Sequence, residues 1–384
     1  MRRLAVFLCT LVLVPLPAQA ASSRQSAYKQ WDTQAQLSRG MLSGTAVVDG
    51  KLVIADPAAV RGRWTSRLVK PGFALTELVP SWVATTPGDS WVKVQVGSVA
   101  TGWDTISRWA SGDAYVKRTS LGSQPDRGAS VSYDTWKVPA GTKSWRIRIT
   151  LYRSPGTAGP SVDTIGAVAS RGSGVPTTST PLGVNTVLPV PAYSQMVHAG
   201  TYPEYDGGGE AWCSPTSTSM VLAYYNRLPQ PADYAWTKPG PDRFVVHAAR
   251  MTFDYAFEGT GNWPFNTAYA AGLTGRAFVT RLASLQDAER FIAAGIPVVA
   301  SISFGRGQLK GAPISATNGH LVVISGFTAT GDPVVNDPAA TTKIQRTYSR
   351  AQFEAAWMRK SGGLAYVITD PAHPLPAREG ARRW

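Results

Sequence analysis

Cysteine is almost absent from this chain: its 384 residues hold two, Cys9 and Cys213, alongside four histidines. There is no Cys-x-x-Cys pair, no His-Glu-x-x-His, no Walker phosphate loop and no Gly-x-Ser-x-Gly elbow. No pair of carboxylates stands out as a glycosidase couple. These absences leave no metal and no cofactor to expect. Long apolar runs are missing too. The stretch from Leu4 to Leu16 is well short of the roughly 20 residues that span a bilayer, and Pro15 interrupts it.

That stretch has another reading. Arg2 and Arg3 precede it and Ala18-Gln19-Ala20 follows, the order of a positive n-region, an apolar h-region and a small-residue cleavage site. Residues 1–20 are therefore expected to form a signal peptide, with the protein secreted, either extracellular or associated with the cell wall, and with no transmembrane segment left after cleavage. Cys9 then departs with the signal. A single remaining cysteine in an exported chain makes no internal disulfide. It is a buried thiol, an intermolecular bridge or a reactive group, and an idle exposed thiol is open to oxidation outside the cell.

Acidic residues are the scarcer charge, 24 against 38 Lys and Arg, for a formal net of +14. The imbalance is concentrated early. Residues 22–186 carry nineteen basic and ten acidic side chains, residues 187–384 seventeen and fourteen. A basic amino-terminal half favours anionic partners. At a cell surface the expected one is an anionic wall polymer, and no nucleic-acid partner is expected.

What is present divides into two patterns. Between residues 41 and 170 the chain reads as short strands, among them Lys51–Ile54, Trp91–Val96, Ser130–Tyr133 and Trp145–Tyr152, with Pro87-Gly88-Asp89 and Pro139-Ala140-Gly141 as turns. No helical period of useful length appears there. An all-β, sandwich-like domain over 22–169 is expected, its eight tryptophans mostly in the core, followed by a Gly/Ser/Thr/Pro linker over 170–186. The second pattern, over 187–384, is α+β. Helices are expected over Ser214–Leu228, Phe244–Phe257, Phe265–Leu273, Ser284–Ala294 and Ala351–Arg359. Strands are expected over Val298–Phe304, His320–Phe327, Pro333–Asn336 and Leu364–Thr369.

Cys213 follows Gly207-Gly208-Gly209 and precedes Ser214-Pro215. Pro215 suits a first helical turn, which puts Cys213 at a helix N-terminus, where the partial positive charge and free N–H groups favour a thiolate and can hold an oxyanion. A thiol nucleophile needs a base. His198 lies in a polar loop, His247 in a helical run and His373 among prolines. His320 follows Asn318-Gly319 and opens an apolar strand, from which it can face a cleft. An orienting group for its ring is expected from Asp337, with Asn336 as the alternative. A tight hairpin near Thr330 would set Asp337 closer to Val323 than to His320, so a wider loop or a bulge is required.

These residues resemble a known family. Cys-x-Pro at a helix start, Gly-His followed by apolar residues, and Asn-Asp-Pro after a hairpin look like the papain-like cysteine peptidases of the bacteriocin-processing, double-glycine-leader type and their secreted relatives. The resemblance covers roughly Leu188 to Asp370. It implies a papain-like domain over 187–384 with Cys213, His320 and Asp337 as catalytic residues and Gln195, by position, at the oxyanion hole. Two departures stand out: Ser214 where the family has glycine, and an eighteen-residue separation of Gln195 from Cys213 that requires an inserted loop. The function implied is a cysteine peptidase acting on peptides or cell-wall peptides. An amidase or acyltransferase would use the same site, and an inactive wall-binding protein is the rival reading.

Overall fold

The computed structural model describes residues 24–122, 124, 128–172, 177–378 and 380–384. The signal-peptide reading of residues 1–20 lies outside the described residues. The molecule is mostly β. Its first half runs β1 (Gln25–Trp31), α1 (Gln34–Ser38), β2 (Met41–Ser43), β3 (Thr45–Val48), β4 (Lys51–Ile54), β5 (Arg61–Thr65), β6 (Leu75–Thr85), β7 (Trp91–Ser98), β8 (Gly102–Trp109), β9 (Thr119–Ser120), β10 (Ser130–Ser132), β11 (Thr135–Thr142), β12 (Arg146–Tyr152) and β13 (Ser161–Arg171). Among the described residues these strands form two sheets, β10-β11-β6-β13-β4-β3 with β1 also on β13, and β2-β5-β12-β7-β8-β9. Alternation explains the second sheet. Val92, Val94 and Val96 point inward with Ile147, Ile149 and Leu151 of the neighbouring strand, all fully buried, while the residues between them face out.

Six of the eight tryptophans, at positions 31, 64, 82, 109, 136 and 145, are buried in the core between the sheets. Trp91 and Trp103 lie on outward positions and are half-buried. Helix α1, five residues long and capped by the Thr33 hydroxyl, precedes the stretch 41–170 that reads as strands.

The second half runs α2 (Cys213–Tyr224), α3 (Arg243–Thr252), α4 (Trp263–Thr274), β14 (Arg276–Arg281), α5 (Leu285–Ala293), β15 (Val298–Phe304), β16 (Thr317–Phe327), β17 (Pro333–Asn336), β18 (Gln345–Thr347), α6 (Arg350–Arg359) and β19 (Leu364–Thr369). The strands make one antiparallel sheet, β14-β19-β15-β16-β17-β18. Helix α3 ends at Thr252, five residues earlier than its apolar pattern suggests. Asp254 explains the stop: its carboxylate accepts hydrogen bonds from the Ser120 N–H and hydroxyl and from Asn262 Nδ2. Helix α5 is capped at its start. Ser284 Oγ accepts from the Gln286 N–H, and Asp287 reaches back to the Ala283 N–H. Helix α6 does not use Ser349 in this way. Asp332 accepts the Arg350 N–H at 2.8 Å, and Gln352 is drawn to the Lys310 N–H.

The two halves share a core. Tyr28, Val79, Val83 and Val168 of the first pack with Phe278 and other residues of the second, while Phe265 and Ala268 of α4 enter the sandwich core. Fully buried Arg118 donates to the Arg250 carbonyl at 2.7 Å, and Arg250 makes a bidentate pair with Asp113, both contacts 2.9 Å. The segment expected as a linker is fixed where it is described. Ser170 and Arg171 end β13. Beyond them, Ser179 and Leu182 donate backbone N–H groups to Glu354 and Glu289, and Leu188 joins Ser325.

Candidate active site

Cys213 is the first residue of α2, and Ser214 to Leu222 behind it are buried without a break. A helix sunk so completely can find partners for its polar side chains only inside the protein, and three of them do so. Ser217 Oγ donates to the Leu321 carbonyl at 3.0 Å, Ser214 Oγ pairs with the Tyr366 hydroxyl at 2.9 Å, and Thr218 Oγ1 donates to Asn266 Oδ1 at 3.3 Å. These bonds fix α2 to β16, β19 and α4. The Ser217 bond matters most for the site, because Leu321 directly follows His320. Cys213 itself stays half-exposed as a free thiol. Its helix starts without a side-chain cap, so N–H groups of the first turn remain without intrahelical partners.

His320 is on β16, opposite Ile302 of β15. The strand starts three residues before the histidine, at Thr317. His320 Nε2 lies 2.7 Å from Asp337 Oδ1. The bulge in the hairpin between them shifts the register by one residue, whereas the loop leaves it as a hairpin centred on Thr330 would. Phe327 pairs with Pro333 across the five-residue loop 328–332, and a bulge between Ile324 and Gly326 then moves the pairing to Val323–Asn336. Continuing that register sets Asp337 opposite Val322 and so diagonal to His320 on one face, a relation that long side chains bridge. Asn336 points elsewhere, donating to the Val190 carbonyl at 3.0 Å.

Asp337 has further partners. Tyr348 donates its hydroxyl to Oδ2 at 3.0 Å, and the Ala339 N–H donates to Oδ1 at 3.1 Å. Burial alone would raise this carboxyl. The imidazole charge, the histidine and tyrosine hydrogen bonds and the Ala339 N–H hold it below its usual 3.8. Burial alone would lower the His320 imidazole. The Asp337 charge and hydrogen bond, with Cys213 near enough to add to both effects, hold it well above its usual 6.5. The pair therefore favours an imidazolium beside a carboxylate.

Gln195 belongs to the same cluster. Its backbone N–H donates to the Pro338 carbonyl at 2.9 Å, and Ser194 Oγ donates to the Ala340 carbonyl at 2.7 Å. The turn after Asp337 thus anchors the glutamine loop. Gln195 Nε2 donates at 2.5 Å to the carbonyl of Glu210, three residues before Cys213. The intervening segment folds back on itself. The Gly200 N–H donates to the Glu210 carboxylate, and Trp212 Nε1 donates to the Tyr205 carbonyl. Gly209 permits this, since a Cβ there would overlap the carbonyls of His198 and Gln195.

The other histidines stand apart. His198 packs on Trp212 with ring centroids 5.6 Å apart, His247 lies beside Tyr269, and His373 forms its own pair with Asp370 at 2.7 Å. Tyr348, Ser217 and the Glu210 carbonyl were not legible as site groups. A tyrosine eleven residues after an aspartate carries no local signal, and Ser217 is marked only by standing one helical turn behind Cys213. Among the described residues no His, Cys, Asp and Glu cluster could hold a metal ion, and no helix is long and apolar enough to cross a membrane.

Among solved structures, a family two carbohydrate esterase from Cellvibrio japonicus is similar at 14% identity and a TM-score of 0.21 over 41% of this chain, which spans 37% of the esterase. The carbohydrate-binding module TmCBM61, solved with β-1,4-galactotriose, gives 10% identity and a TM-score of 0.18, over 38% of this chain and 89% of the module. A likeness of that degree carries no argument about this protein. No curated protein matches. Two family models do match, residues 27–170 fitting the Peptidase C39 N-terminal domain and residues 187–364 the Peptidase_C39 like family. The chain therefore carries a C39 N-terminal domain followed by a C39-like peptidase family domain.

Proposed function

We propose that the protein is a papain-like cysteine peptidase, exported by way of residues 1–20, in which Cys213 is the nucleophile, His320 the acid–base group and Asp337 the orienting carboxylate. The observation that carries this reading is the 2.7 Å contact of His320 Nε2 with Asp337 Oδ1, on a ring whose charged form Cys213 also favours. With Nε2–H given to Asp337, Nδ1 is the ring atom that serves the thiol. The Cys213 sulfur attacks the carbonyl carbon of a substrate amide, forming a C–S bond. The N–H groups at the start of α2, and Gln195, stabilise the oxyanion. The imidazolium gives its proton to the departing amine as the C–N bond breaks. Water, deprotonated by His320, then attacks the thioester, releasing the acid and restoring the thiol. A peptide or wall-peptide substrate fits this chemistry, and the bacteriocin-processing peptidases are the family pattern it follows.

The rival reading of an inactive binding protein drew on Ser214. That side chain is fully buried and paired with Tyr366, which is no obstacle to chemistry at Cys213. Labelling with a biotinylated pool of peptidyl acyloxymethyl ketones tests the proposal. Adduct on Cys213 that disappears in His320→Ala is the expected result. An unreactive Cys213, or labelling indifferent to His320, would refute it.

A further inference from the structure

The outer face of the sheet containing β5, β12, β7 and β8 concentrates positive charge in register. Arg63 pairs across the strands with Thr150, Thr150 with Lys93, and Lys93 with Arg108. These four positions make one rung, about 14 Å wide at the usual strand spacing. Arg61, Arg146 and Arg148 flank it on outward positions of β5 and β12. Among the described residues, the outward positions of these four strands carry no aspartate or glutamate. Asp104, the acidic residue of β8, is fully buried and accepts the Trp136 indole N–H at 2.7 Å. A groove of about 460 Å³ opens between Arg61, Arg63, Lys93 and Arg148, with Ser43, Gln95 and Thr150 in its lining.

Two features set this face apart from a solvated charged surface. Arg148 is held in place, its guanidinium 3.8 Å from the centroid of Trp103 and its Nε 3.4 Å from Thr65 Oγ1. Burial and the like charges of Arg63 and Arg146 push that guanidinium below its usual range. A fixed cluster of like charges without a carboxylate is relieved by a bound anion. The aromatic side chains then select the kind of anion. Trp91 and Tyr152 stack on each other at 4.1 Å, and Arg148 covers Trp103. Single-stranded nucleic acid is gripped by free aromatic faces, whereas here Trp91 and Tyr152 each give one face to the other and Trp103 gives one to Arg148. Hydroxyl and amide groups line the groove instead, suited to sugar hydroxyls, between guanidinium forks that match carboxylate or phosphate oxygens.

We propose that this face is a binding site for an anionic polysaccharide, which lies across the Arg63–Lys93–Arg108 rung and against Arg148. It gives the anionic-polymer partner a location and stands independently of the peptidase reading. The test is binding of the full chain to polygalacturonate, with neutral pullulan and short duplex DNA as comparison ligands at one ionic strength. The triple variant R63Q/K93Q/R108Q is set beside R306Q/K310Q/K343Q, which removes the same charge from the other half. The site predicts polygalacturonate affinity that falls with added salt, is absent for pullulan, drops about tenfold or more in the first variant and is kept in the second. Equal loss in both variants, no polygalacturonate binding at low salt, or tighter binding of duplex DNA than of polygalacturonate would overturn it.

Discussion

Asp337 illustrates how much one carboxylate is asked to hold. It takes His320 on one oxygen and Tyr348 on the other, and the turn that follows it anchors the Gln195 loop. Tyr348 acts through Asp337 and is a positioning residue. In Tyr348→Phe the carboxyl loses a hydrogen bond that lowers it, so its ionised form is lost at a higher pH. The acid limb of kcat/KM should move upward and the plateau should fall roughly tenfold, as expected for one hydrogen bond to a charged group. An acid limb that stays where it was would show that Tyr348 does not hold the carboxylate. The linkage to stability has a definite sign. The raised His320 contributes stability that is complete below its usual 6.5 and is lost as the pH climbs through the folded value. Asp337, held low, contributes stability that is complete above its usual 3.8 and is lost as the pH falls through its lower folded value.

Elements with an apolar pattern of their own were readable. The expected bounds of β15, β17 and β19 coincide with the observed ones. Strands between the two cores were not. β6 and β13 face the sandwich core on one side and α4 or β14 on the other, so their alternation is lost, and β14 ends on Thr280 and Arg281, both buried. The site shows the same division. Cys213 and His320 carry local signals, a glycine run before a helix start and a glycine before an apolar strand. The partners of Asp337 depend on a bulge and on chain return through β18, which no local pattern encodes. Helix α4 adds a contact between the halves. Asn262 caps it from within, and Asp134 of the sandwich accepts the Trp263 N–H at 2.9 Å. Burial pushes the Asp134 carboxyl up to about 7 despite that bond. A raised acid contributes stability that is complete below its usual 3.8 and is lost as the pH rises through about 7. Asp134→Asn should therefore gain on the wild type between pH 4 and pH 8, by up to about 4 kcal/mol. Thermal melts at the two pH values check this, and an offset that does not change between them would rule it out.

At the scale of the molecule, the shared core makes the two family domains one mechanical unit. Phe265 comes from the peptidase half yet packs against Trp82 of the sandwich, with ring centroids 6.3 Å apart. Phe265→Ala should cost about 3–5 kcal/mol and move a single calorimetric transition. Two transitions, one of them unmoved, would mean that the halves melt separately. The carboxyl terminus adds to the same joint: the Arg382 carbonyl accepts the Tyr28 N–H of β1 at 2.7 Å, and Trp384 packs on Phe291 of α5.

Among the described residues two His–Asp pairs share the same 2.7 Å separation, His320–Asp337 and His373–Asp370, and we assign chemistry to the first alone. Turnover of a peptide and wall-fragment library by the wild type, Cys213→Ala, His320→Ala and His373→Ala tests that assignment most directly. We expect no turnover without Cys213, a loss of about 100- to 10,000-fold without His320, and wild-type rates without His373. Wild-type turnover in Cys213→Ala or in His320→Ala would contradict the assignment.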